Sequence, residues 1–125
     1  MKLLLDTHVF LWLQISPERL GEHVALVTDA SNELVVSAAS SWEIAIKHEI
    51  GRLQLPEAPD RYVPSRMRMI GARALPIEHS HALAVATLPP FHRDPFDRLL
   101  VAQAQLEGLT LLTADEAVAL SLIHI

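Results

Sequence analysis

Short apolar runs alternate along this chain with longer stretches in which apolar positions recur at helical spacing. Leu3-Leu4-Leu5 reads as a buried strand ending at the polar pair Asp6-Thr7. Val9 to Leu13 begins a first helix that Pro17 closes or restarts, and Leu20 to Ala30 continues as helix. Leu34-Val35-Val36 is a short β-branched strand. Ser37 to Ser41 then leads into a helix whose Trp42, Ile46, Ile50 and Leu53 fall on one face, fraying at Gly51. Pro56 and Pro59 bracket a loop, Tyr62 to Ile70 is a short helix, and Ala72 to Leu75 a third strand stopped by Pro76. His79 to Thr87 is helical. Leu88-Pro89-Pro90-Phe91 is a loop, because two prolines remove donors and forbid helix continuation. Phe96 to Glu107 is an apolar helix closed by Gly108, and Leu109 to Thr113 is the next strand. Short buried strands alternating with helices predict an α/β domain with a parallel sheet covered on both faces.

Length and charge narrow the function. The 125 residues, half of them hydrophobic, suffice for one domain with a real core, so residues 1–125 are expected to be a single unit. With 15 acidic against 10 basic residues and a formal charge of -5, bulk positive charge does not drive binding to nucleic acid. Arg61, Arg66, Arg68 and Arg73 form a locally cationic stretch, open to two readings: a solvated helix face, or a contact for phosphate. The absence of cysteine excludes disulfides and thiolate chemistry and is compatible with a reducing cytoplasm, the expected location. Asp6 and His8 interrupt the apolar start, so it reads as a strand rather than a leader. No apolar run approaches the ~20 residues that span a bilayer, and no membrane association is expected.

Four acids stand at the edges of these segments: Asp6, Glu43, Asp97 and Asp115. Each has a modest local explanation. Asp6 would cap the helix that follows it. Glu43 stands three residues after Ser40, a capping-box spacing, and four before Lys47 in the favourable ion-pair order. Asp97 follows Asp94 and Pro95 at a helix start, and Asp115 follows Thr113 in what would be a first helical turn. These explanations share a geometry, since all four put the acids at strand ends and helix N-termini, which in a doubly wound sheet lie along one rim. Gathered carboxylates raise one another's pKa unless a divalent cation neutralises them, and an oxygen-only donor set suits Mg²⁺ or Mn²⁺.

Four blocks carry a resemblance: residues Leu3-Leu4-Leu5-Asp6-Thr7-His8, Ser40-Ser41-Trp42-Glu43-Ile44-Ala45-Ile46-Lys47, residues 92–104 around Asp94-Pro95-Phe96-Asp97-Arg98, and Leu111-Leu112-Thr113-Ala114-Asp115. In order and spacing they resemble the PIN-domain ribonucleases, specifically the VapC toxins of bacterial toxin–antitoxin pairs. The resemblance implies a three-layer α/β/α fold with a central parallel sheet of four to five strands. It implies a Mg²⁺- or Mn²⁺-dependent endoribonuclease with Asp6, Glu43, Asp97 and Asp115 as metal-binding and catalytic acids. Thr7 and Thr113 resemble the family's hydroxyl neighbours, and Asp94 reads as a helix cap. An RNA substrate, a cognate antitoxin protein and a homodimer are implied as partners. After Asp115 the chain departs from the family's usual pattern, with Ala117-Val118-Ala119-Leu120 leading to Ser121-Leu122-Ile123-His124-Ile125, and leaves a final strand open.

Rival functions share these residues. One is a catalytically silent binding module whose acids serve as helix caps, the other a metal-dependent phosphatase or DNA nuclease. The remaining polar residues are less informative. His79 and His81 read as neighbours on an exposed helix, His92 beside Arg93 as a phosphate contact or a loop end, and Arg98 as a surface ion-pair partner of Asp97. Trp12 and Trp42 fit core or interface packing.

Overall fold

The computed structural model describes residues 1–89 and 94–113. Its elements are β1 (Lys2–Leu5), α1 (Thr7–Ile15), α2 (His23–Thr28), β2 (Glu33–Ser37), α3 (Ala38–Glu49), α4 (Pro59–Ile70), β3 (Arg73–Leu75), α5 (His79–Ala84), α6 (Pro95–Glu107) and β4 (Thr110–Leu112). Two 3-10 turns, Pro17–Leu20 and Val85–Thr87, complete the described chain.

The strands form one parallel sheet in the order β3-β2-β1-β4. In β1, Leu3, Leu4 and Leu5 are all fully buried, as a central parallel strand flanked on both faces requires. The pleat sends them to different layers. Leu3 and Leu5 join Leu34, Val36 and Leu112 under Val9, Phe10, Ile44 and Tyr62, whereas Leu4 joins Val35, Leu75 and Leu111 under Leu100, Val101 and Ala104. Helices α1 and α4 thus cover one face and α6 the other, giving the expected three layers. Because β1 pairs with β2 on one side and β4 on the other, the strand order reverses beside β1.

Several boundaries move from the sequence expectation. Gly21, at φ 56°, ends the first 3-10 turn, so the helix expected from Leu20 to Ala30 shortens to α2. Pro59 opens α4 at its first position, where a missing amide proton costs nothing, instead of closing a loop. The Trp42-Ile46-Ile50 stripe is not the buried face of α3. Trp42 and Ile50 are 57% and 59% exposed, and the helix buries Ala39, Ser40, Glu43 and Ile44. Gly108 closes α6 in the left-handed conformation, as expected. Among the described residues no helix is long and apolar enough to cross a membrane. The region of the possible last strand lies outside them.

Candidate metal centre

Asp6 is the residue after β1, at the carboxyl end of the strand where the sheet order reverses. Its amide donates to the Leu112 carbonyl of β4 over 3.1 Å, and its Oδ1 accepts from the Val9 amide at 2.7 Å, capping α1. The expected cap is therefore present, and it holds Asp6 at 3% exposure on the rim.

Glu43 reaches the same place from α3. Thr7 Oγ1 lies 2.7 Å from Glu43 Oε1 and 3.1 Å from Ser40 Oγ. One hydroxyl proton serves one strong bond, and the shorter contact, to the carboxylate, takes it. Lys47 Nζ lies 2.6 Å from Glu43 Oε2, the ion pair expected four residues on. The capping box with Ser40 is absent: Ser37 caps α3 by accepting from the Ala39 amide, and Ser40 lies buried inside the helix. The sequence pattern pointed Ser40 at the backbone. Packing of α1 on α3 turns it towards Thr7.

Asp97 lies in the first turn of α6, half-buried. Asp94 Oδ1 accepts from the amides of Phe96 and Asp97, and Pro95 occupies the first helical position, so Asp94 is a cap as expected. The first turn of α6 meets the second turn of α3 through Phe96 and Trp42, packed edge to face with centroids 5.2 Å apart. Each acid follows its aromatic neighbour by one residue. The N-termini of α1 and α6 thus bring positive dipole ends to Asp6 and Asp97, whereas Glu43, expected at a helix start, lies in the second turn of α3 because that helix begins earlier, at Ala38.

The structure therefore links Asp6 and Glu43 through Thr7, and the helices bearing Glu43 and Asp97 through Trp42 and Phe96. Among the described residues, no group of three acids or histidines stands close enough to hold a metal ion. Asp115, with its neighbour Ala114, lies outside the described residues, as do His92 and Arg93. The donors present, buried carboxylate oxygens beside hydroxyls, fit a hard cation, and the Lys47 ammonium neutralises Glu43 meanwhile.

The arginines left open to two readings in the sequence divide between α4, which carries Arg61, Arg66 and Arg68, and β3, which carries Arg73. Arg73 opens β3, at the rim opposite the acids, and pairs with Glu33 at 2.6 Å. Arg66 stacks over Tyr62, and Arg68 lies in the last turn of α4, which leads to the same far rim. A groove of about 410 Å³ instead begins at Thr7 and is lined by Lys47, Arg52 and Arg19, with Leu11, Trp12 and Ile44 among its apolar walls. Arg19 lies over the Trp12 ring at 4.5 Å. No sequence signal joined Arg19 and Arg52 to the site, because tertiary packing of α1 against α3 assembles this groove.

His81 differs most from expectation. It is wholly buried, not exposed, and bonds to Glu78, Gln103 and Glu107. Arg98 donates to the carbonyls of Val85 and Pro89, closing the second 3-10 turn.

Known proteins resemble this arrangement. Residues 3–120 match the family model of the PIN domain. Ribonuclease VapC22 of Mycobacterium tuberculosis (strain ATCC 25618 / H37Rv) is 34% identical over 113 residues, 90% of this chain and 85% of that protein. Ribonuclease VapC16 of the same organism is 41% identical over 68 residues, 54% of this chain, and the match spans only 48% of that protein. Among solved structures, FitAcB from Neisseria gonorrhoeae superposes with a TM-score of 0.64 at 19% identity, covering 97% of this chain and 93% of that one. FitAB bound to an IR36 DNA fragment gives 0.63 at 19% identity, covering 97% and 88%. At that identity these two structures carry the fold alone.

Proposed function

Since the chain belongs to the PIN-domain family, in its VapC branch, we propose that it is a metal-dependent endoribonuclease, the toxin of a toxin–antitoxin pair. The observation that supports this best is the junction of Asp6, Thr7 and Glu43, buried at the carboxyl end of β1 where strand order reverses. A helix cap alone does not require a second buried carboxylate, from another helix, at the same point.

Asp6, Glu43, Asp97 and Asp115 would hold Mg²⁺ or Mn²⁺. When bound, such a cation acidifies a water for in-line attack on the scissile phosphorus and offsets negative charge developing on the phosphate. Thr7 fixes the rotamer of Glu43 by donating to Oε1. Lys47 holds the other oxygen and, with 39% of its side chain exposed, is free to turn towards a phosphate once a cation takes over Glu43. The cationic groove from Thr7 to Arg52 gives a protein of net charge -5 a local path for polyanion. The family implies an antitoxin and a homodimer as well, and co-purification with the product of a neighbouring gene and light scattering test them.

The deciding experiment is cleavage of a mixed RNA pool by the purified chain with Mn²⁺, with EDTA, and with Asp6→Asn or Asp97→Asn. Metal-dependent cutting lost in both folded variants is expected. Activity surviving in both would defeat the assignment, and preference for DNA or a phosphomonoester in parallel assays would move it to a rival class.

A further inference from the structure

The buried polar residues of α5 and α6 form a directional chain that ends at the helix bearing Glu43. It begins at Glu107, whose Oε2 lies 2.9 Å from His81 Nε2. The Glu78 amide donates to His81 Nδ1 at 2.9 Å, so Nδ1 carries no proton and Nε2 donates to Glu107. Gln103 Nε2 donates to the Pro76 carbonyl at 3.2 Å and lies 3.3 Å from His81 Nδ1, whose one lone pair is shared with the shorter bond from the Glu78 amide. A flipped amide would put its oxygen against both, so Oε1 must face Ser37. The Ser37 hydroxyl donates to that Oε1, leaving its own lone pair for the Ala39 amide at 3.0 Å. Ser37, His81 and Gln103 are all fully buried, so each bond is made in a low-dielectric interior where a missing partner is costly.

Nothing in helix stability alone calls for this extent. A serine caps a helix without help from a glutamine on another helix. Gln103 lies on α6, the helix that carries Asp97 in its first turn, and the residue it orients caps α3, the helix that carries Glu43. We infer that Gln103 is a positioning residue: through Ser37 it fixes the N-terminal turn of α3 against α6, and so sets Glu43 relative to Asp97. The inference rests on the reading of these acids as a metal site. It places the control of metal-site geometry in a buried network on the side of the sheet away from the Thr7 groove.

The test uses the full chain and four variants: Gln103→Met, which keeps volume and removes both amide bonds, Ser37→Ala, Ser37→Thr, and the double Gln103→Met/Ser37→Ala. Mn²⁺ affinity is measured by calorimetry, and the amide resonances of Ala39 to Glu43 by NMR without metal. Gln103→Met and Ser37→Ala are each expected to weaken Mn²⁺ binding roughly tenfold. The double variant should be no worse than either alone, because one chain is being cut. Ser37→Thr should keep wild-type affinity. Asn32→Ala, which removes hydrogen bonds at the opposite rim, should lower stability without changing affinity. Wild-type affinity in Gln103→Met, additive losses, or an equal loss in Asn32→Ala would overturn the inference. If wild type itself binds no Mn²⁺, the metal reading fails and the NMR arm decides. Resonance changes from Gln103→Met that reach Glu43 uphold the positioning, and changes confined to α6 refute it. Should Gln103→Met not fold, Gln103→Asn, which keeps an amide but draws its oxygen back from Ser37, decides instead: weaker Mn²⁺ binding than wild type upholds the inference, and equal affinity overturns it.

Discussion

Thr7 Oγ1 donates to Glu43 Oε1 across 2.7 Å, tying the first turn after β1 to a carboxylate 36 residues later. Both side chains are buried, so the bond is charge-assisted in a poorly solvated place. Thr7→Val keeps the shape and removes the donor. It should cost about 1–3 kcal/mol in urea denaturation and sharply reduce Mn²⁺-supported RNA cleavage, while Thr7→Ser retains both. A Thr7→Val protein with wild-type stability would show that this bond carries no weight.

Asp94 serves α6 through the amides of Phe96 and Asp97. Replacing it by Ala should destabilise the protein by about 1 kcal/mol, and replacing it by Asn by much less. Equal urea midpoints for the two variants would remove the capping role.

The two faces of α3 make opposite demands. Ile44 is fully buried, so Ile44→Ala should cost about 2–5 kcal/mol. Trp42 is mostly exposed and keeps its edge contact with Phe96, so Trp42→Ala in the monomer should cost about 0.5–1.5 kcal/mol. Thermal or urea unfolding of both variants checks the order, and a reversal would restore the stripe expected from sequence.

At the far rim, the hydrogen bond from Arg73 holds the Glu33 carboxyl below its usual value of 4.5, outweighing the opposing effect of burial. A depressed folded-state pKa means that this stabilisation is present above about 4.5 and fades as pH falls through the lower folded value. Glu33→Gln should therefore flatten part of the acid limb of the stability curve, most visibly at low salt, since the pair is exposed. Superimposable acid limbs for the two proteins would contradict the pair's contribution.

Local chemistry made much of this protein legible. The Leu3 to Leu5 run, the caps at Asp6 and Asp94, the Glu43 and Lys47 spacing and the Gly108 stop each act over a few residues, and the structure has them. What sequence missed is decided by packing between elements. Ser40 satisfies a local capping pattern, but the approach of α1 uses it instead. Trp42 shares a helical spacing with Ile46 and Ile50, yet the sheet meets the other side of α3. His81 resembles a surface histidine because its partners, Gln103 and Glu107, arrive from a helix far along the chain. The arginines from Arg61 to Arg73 are contiguous in sequence, but strand direction carries Arg73 away from the acids.

The pairing of β1 with β4 also has a consequence in time. Leu3 finds Thr110 and Leu5 finds Leu112, so β1 waits beside an empty position until every element from α1 to α6 has been synthesised. Closing so long a loop is slow compared with forming the helices in between. The Asp6 amide gains its bond to the Leu112 carbonyl only then. A nascent chain is thus held with β1 lacking one of its two neighbours, and the rim that carries Asp6 is completed only when β4 docks.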